Sequence, residues 1–303
     1  MGKALIFSGV TVDAPLQTVT FVRELITAND YVSAYKQAVG GLTAKQESSL
    51  LTFIETLMTN GIWDKVNYFF PLIKGVDYQS YDLKSVKKIG FIARTPSYSE
   101  DKDCLHIGYN GLATCITADI NININDMTSI ISYSGSCNFF SPVSLGIANK
   151  QEDYIRFGGN QKLKETFWYR QYPTINSGKV AVLNDTGEQS SWSGTEPATV
   201  NFVVSLSIQS NLASSKLYNV DKQRKYSKDN VSFEFDESYR DLEKFPLKLG
   251  GYYGVESSYQ PVEADLYCIL LSSKLSEQEL IIATKAINKL NNDLGRYSGE
   301  LVE

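Results

Sequence analysis

"ADLYCILLSSKLSEQELIIATKAINKLNNDLGR", residues 264–296, sets two backbone periods side by side. Its opening, "ADLYCILLS", is a run of aliphatic and aromatic residues of strand length. After it, Ser276 and Glu279 stand at the S-x-x-E spacing of a capping box. Leu280, Ala283, Ile287, Leu290 and Leu294 then recur at three and four residues until Gly295, a residue suited to end a helix. The spacing predicts a strand followed by one amphipathic helix over 276–295. Its apolar stripe must be covered, and the helix is expected on the edge or end of a β layer.

Upstream, from about residue 76, the strand texture repeats at spacings of roughly ten residues, the sign of an all-β sandwich or barrel. The runs are "KIGFIAR", "CITADINI", "TSIISYS", "DYIRFG", "ETFWYR", "GKVAVLN", "TVNFVVSLSI", "VSFEF", "PLKLGGYYG" and "ADLYCILLS". They exceed what one flat sheet usually carries, so two sheets packed face to face are expected.

The first 75 residues read differently. Residues 3–22 alternate imperfectly around a Gly and a Pro and predict two short extended pieces. "NDYVSAYKQAVGG", 29–41, predicts a short helix with Asn29 at its N-cap. In "TAKQESSLLTFIETLMTNG", 43–61, Thr43 and Gln46 form a second capping box, and Leu50, Ile54, Leu57 and Met58 share a face. These two helices form a hairpin too small for its own core. Leu50, Ile54, Leu57 and Trp63 are therefore expected to fix it to the sandwich or to a neighbour. Residues 1–22 are expected to serve as a docking arm that adds a strand to an edge.

The chain of 303 residues carries 29 Lys+Arg against 34 Asp+Glu, a formal charge of −5, without a long basic run. Nucleic acid is excluded as the expected ligand. No apolar run approaches the roughly 20 residues that cross a bilayer. The start lacks the pattern of a signal peptide, and Ile6 breaks a myristoylation motif. A soluble protein without membrane insertion is expected. Cys104, Cys115, Cys137 and Cys268 are isolated and His106 is the only histidine. No zinc site of ordinary spacing can be built, no cofactor is implied, and four reduced thiols made in a cytoplasm are expected.

"TADINININD", 117–126, alternates Asp119, Asn121, Asn123 and Asn125 with isoleucines. Counted from Asp119, position six of a calcium loop is Ile124 and position twelve Ile130, where Gly and Glu are needed, so that loop cannot close. A strand with one wet face is the favoured reading. A polar face against another subunit, or one lining a concave ligand surface, stays open.

Catalytic sets are incomplete. In "FEFDESYRD", Glu234 and Asp236 share a strand face as a glycosidase pair would. The stretch resembles that of the retaining sandwich glucanases, and the resemblance implies a third acid three residues after the Asp, where Tyr239 stands. His106 has no G-x-S-x-G serine to serve. The expectation is a protein that is not an enzyme, with no catalytic or metal residues. Exposed aromatic rings are the remaining recognition groups, since sugars stack on them. Trp192 in "EQSSWSGTEP" and Tyr252 and Tyr253 in "LGGYYGV" are the candidates for glycan or surface contact.

Taken together, an extended start, a helical hairpin ending in "NGIWDKV", many strands, a segment "SKLYNV" and a last strand leading to L-S-x-x-E and a helix ending L-G-R are a distinctive order. It resembles virion proteins of tailed bacteriophages, especially those of gut Bacteroidetes, with a concanavalin A-like (laminin G-like) jelly-roll domain. The carrying residues are Gly61 to Lys65, Leu275, Ser276, Glu279, Leu294, Gly295 and Arg296. The resemblance implies a mainly β chain. It would comprise an extended arm and helical hairpin over 1–75, and an antiparallel jelly-roll β-sandwich with a terminal helix over 76–303. It further implies a structural component of a phage tail, fibre or head, made in the host bacterial cytoplasm, assembling with other virion proteins and as a homo-oligomer. A receptor-binding lectin for bacterial surface polysaccharide is the alternative, and a polysaccharide-cleaving enzyme the second.

Overall fold

The computed structural model describes residues 27–73, 80–89, 97–99, 102–107, 115–121, 123, 126–136, 143–146, 154–155, 167–172, 177–183, 189–191, 200–210, 212–221, 223–232, 244–249, 251–253, 259–261 and 263–302. Three α-helices lie among them: α1 (Ala28–Ala38), α2 (Ala44–Thr59) and α3 (Glu277–Leu294). Both capping boxes expected for α2 and α3 are present, Thr43 with Gln46 and Ser276 with Glu279. The cap of α1 is a correction. Thr27, not Asn29, starts it, with Asp30 closing the box. Three residues after Asn29 stands Val32, which has no acceptor to return, whereas Thr27 and Asp30 satisfy each other's backbone N–H. At the far end of α3, Gly295 adopts φ 79°. There the N–H of Gly295 donates to Asn292 at 2.9 Å and that of Arg296 to Asn291 at 3.0 Å, the paired bonds of a Schellman end that favours glycine.

The main sheet is antiparallel. Its strands are β1 (Val66–Phe70), β2 (Ser97–Ser99), β3 (Cys104–Ile107), β4 (Asp126–Ser136), β5 (Val200–Gln209), β6 (Leu212–Asn219), β7 (Arg224–Ser232) and β8 (Glu263–Ser273). Their order is β7-β6-β5-β4-β8-β3-β2, and β1 also pairs with β8. One edge of β8 follows β4 along its length, and its other edge is shared by β3 near Asp265 and by β1 near Leu270. Other described strands form smaller sheets, one of them joining 115–121, 244–249, 143–146 and 154–155. All ten runs read as strands in the sequence contribute strand residues.

Register separates the two faces of the main sheet, because Cα partners share a face. Ile130, Val203, Tyr218 and Leu270 belong to one buried cluster with Leu50, Ile54 and Leu57 of α2 and Ala283, Ile287 and Leu290 of α3. The helices thus cover a face of the sheet. This corrects the expectation that the terminal helix packs on an edge or end: Ala283 and Ala286 let its backbone approach, and a face offers a wider apolar area than an edge. The opposite face, including Ile131, Val204, Leu206, Leu217 and Ile269, is buried as well. A mainly antiparallel β chain with its principal sheet covered on both faces is a sandwich arrangement, flanked in sequence by helices.

Residues 27–73 and the described strands after them bury one common core, since Trp63, Val66 and Phe69 lie in the same cluster as Leu270 and Ile287. Polar fasteners mark the seams. Asp82 is fully buried, and its carboxylate accepts from the N–H of Phe69 at 2.8 Å, Lys84 at 3.1 Å and Ser85 at 3.0 Å. Burial pushes its carboxyl above the usual range, against the pull of these donors. Lys65 Nζ donates to both carboxylate oxygens of Glu279, at 2.7 and 2.8 Å, joining the turn after α2 to the start of α3.

Candidate functional site

Where α3 begins, a groove of about 380 Å³ lies between it and the β5–β7 flank of the sheet. Its floor follows from strand alternation. Leu212, Ser214 and Lys216 are every second residue of β6, and Ser207 and Gln209 hold the same relation on β5. One wall is a bulge, where Asp229 and Asn230 of β7 together oppose Ser214, as the shift between Ala213↔Val231 and Ser215↔Lys228 shows. Asn230 takes φ 54°, which Asn tolerates better than most residues, and its N–H donates to Ser214 Oγ at 3.0 Å. The other wall is the lead into α3, Lys274 to Glu277 and Leu280.

This lead is held firmly. Thr128 Oγ1 accepts from the N–H of Leu275 at 3.0 Å and lies 3.0 Å from Ser207 Oγ. Lys216 Nζ donates to Glu277 Oε1 at 2.8 Å, and Lys274 Nζ donates to Gln209 Oε1. The hydrogen bond and charge of Lys216 hold the Glu277 carboxyl below its ordinary value. The groove is lined by ammonium, amide, hydroxyl and carboxylate groups together with Leu212, one of two large apolar side chains that stay exposed among the described residues. Hydrogen-bonding groups around an apolar patch suit a polyol with both hydroxyls and C–H faces.

A second polar cluster lies on the opposite flank. His106 on β3 faces Asp265 on β8 in register, with Nδ1 2.8 Å from Oδ1, and Lys102 Nζ donates to Oδ2 at 2.8 Å. Ser97 is the cross-strand partner of His106. The order Ser–His–Asp therefore runs across three strands. His106 and Lys102 share the two oxygens of the Asp265 carboxylate, which ties β3 and the turn before it to β8. Asp265 was invisible as the partner of His106 in sequence, being far along the chain and joined to it only by register.

Trp192, Glu234, Asp236 and Asn125 lie outside the described residues, as do residues 1–26 and Cys137. Tyr252 and Tyr253 are paired through the backbone with Gln260 and Tyr259 in a two-stranded ribbon. Asp119 and Asn121 are in the strand 115–121, opposite Pro246 and Lys244, and Asn123 is exposed. Cys104 and Cys268 are free and buried, and burial pushes their thiols up to about 12 and about 11. They are unreactive at neutral pH. Among the described residues no group of three or more His, Cys, Asp or Glu could hold a metal, and no helix is long and apolar enough to cross a membrane.

No protein-family model and no curated protein matches the sequence. Solved structures resemble it in part. Trypanosoma rangeli sialidase in complex with a difluoro-KDN matches at 11% identity and TM-score 0.45, over 75% of this chain and 33% of that one. The enzymatically active domain of tailspike protein 2 from bacteriophage CBA120 matches at 8% identity and TM-score 0.41, over 66% and 30%. The CBM40 of Ruminococcus gnavus IT-sialidase matches at 18% identity and TM-score 0.34, over 54% and 84%. The chain spans about a third of the length of the sialidase and tailspike chains. At such values the likeness says nothing of activity or ligand.

Proposed function

We propose that this chain is a structural, non-catalytic component of a tailed-phage particle that recognises bacterial surface glycan through the groove at the start of α3. The setting rests on the sequence resemblance, whose L-S-x-x-E and L-G-R motifs are the two ends of α3. In this reading the sandwich is a concanavalin A-like jelly roll, the protein assembles as a homo-oligomer with other virion proteins, and residues 1–22 add an edge strand to a neighbour or to the sandwich. The observation that carries recognition is the groove itself, which Ser214, Asn230, Asp229 and Lys216 line together with exposed Leu212. Trp192, Tyr252 and Tyr253 remain proposed as additional contacts.

Two measurements test this. Mass spectrometry of purified particles is expected to find the chain in stoichiometric amounts, and its absence there removes the structural reading. A glycan array of capsule fragments is expected to show binding that Ser214→Trp, which fills the groove, abolishes. Binding that survives the substitution overturns the groove as the site. The same polysaccharides are expected to emerge uncut, and shortened chains would favour the enzyme.

A further inference from the structure

The Lys216–Glu277 pair in the groove is lopsided. The side chain of Lys216 is 7% exposed, while that of Glu277 is 78% exposed. A buried ammonium is costly without a hydrogen-bonded partner, and an anion is the best one, so Lys216 favours a carboxylate over a neutral group. Glu277 has less need: Lys216 holds its carboxyl below the ordinary value, but the group is 78% exposed, so water replaces the bond when it leaves. Glu277 is therefore the exchangeable half, standing on the first turn of α3, where the helix dipole favours negative charge.

We infer that the Lys216 end of the groove is a carboxylate subsite for an acidic sugar, and that Glu277 occupies it while no ligand is bound. This rests on the glycan-recognition reading and names the class of glycan. A uronic acid presents the same two oxygens as Glu277, whereas a neutral sugar cannot replace a charge on Lys216. Once its carboxylate displaces Glu277, the sugar's hydroxyls lie within the wall built by Ser214, Asp229 and Asn230, and its C–H face meets Leu212. Lys274 adds a second cation to the same groove.

The test is calorimetric titration of the full chain with oligogalacturonate and with its methyl ester. Glu277→Gln removes the internal competitor at an exposed position and is expected to tighten oligogalacturonate binding about tenfold, while binding of the ester changes less than about twofold. Lys216→Met is expected to abolish the gain in the double variant. An unchanged or weaker affinity for oligogalacturonate in Glu277→Gln overturns the subsite, as does an equal gain for the ester. If the ester and the acid bind alike and Ser214→Trp abolishes both, the glycan groove stands and the carboxylate subsite falls. If neither binds to any variant and the capsule array is also blank, both readings fall.

Discussion

Arg296 is 3% exposed, and carbonyl oxygens meet its charge. Its guanidinium donates to the backbone carbonyls of Tyr267 at 2.6 Å, Pro71 at 2.8 Å and Asp103 at 2.7 Å, and to the Asn291 side chain at 2.9 Å. These acceptors come from the end of β1, the approach to β3, the irregular point of β8 and the last turn of α3. The C-terminal end of a helix favours a cation, so the position suits the charge as well as the fork. In the sequence this residue was legible only as the last letter of the L-G-R motif that carries the resemblance, because nothing local says that a surface-type residue after a helix will fold inward. Lysine keeps the charge but brings a single ammonium in place of a planar fork. Arg296→Lys is expected to lower stability by about 3 kcal/mol, the cost of leaving two or more of these buried carbonyls without a donor. Denaturant unfolding measures it, and a loss below about 0.5 kcal/mol would show that water can replace the fork.

At the scale of elements, the helices were easy to read and the flank strands were not. Capping boxes and three-four spacing are local properties, and α2 and α3 carry both. β6 and β7 are different: "LASSKLYN" and "RKYSKDNVS" are rich in Ser, Lys and Asn, which strands generally disfavour. They are strands because β5 offers a paired edge and because Leu217 and Tyr218 each fill one face. The groove they floor was correspondingly hidden, since it depends on a bulge and a helix from distant segments. Docking of α3 onto the turn after α2 depends on pH through Glu279. The hydrogen bond from Lys65, and then that from the Ser276 N–H, hold the Glu279 carboxyl below its ordinary value of 4.5. A depressed value means that the contribution is complete above about 4.5 and is lost as pH falls through the lower, folded value. Glu279→Gln keeps an acceptor for the capping box and deletes the charge. At pH 7 it is expected to be about 0.5–1 kcal/mol less stable than the natural chain. As pH falls below the folded value the two unfolding curves are expected to converge, and a gap that stays undiminished down the acid range would assign the effect to capping instead.

For the molecule as a whole, the question is whether the strands after residue 76 stand without the hairpin. Strand count alone argues that they do, because two sheets can close on each other. The observed core argues the reverse. Leu50, Ile54, Leu57 and Trp63 are each at most 1% exposed, and they share their cluster with Leu270, Ile287 and Leu290. Removing residues 1–75 would take α1, α2 and β1 away together. It would strip one side of α3, free the β8 edge near Leu270 and delete the Pro71 carbonyl that Arg296 holds. Each buried Leu or Ile lost from such a cluster costs about 2–5 kcal/mol, so several together exceed the roughly 5–15 kcal/mol by which a domain is stable. A chain of residues 76–303 is therefore expected to be insoluble, or to bind hydrophobic dyes without a cooperative thermal transition, while residues 27–303 unfold cooperatively. Light scattering and calorimetry on the two truncations decide it. A soluble 76–303 with a sharp transition would mean that the sandwich holds its own core and that the hairpin is an attachment.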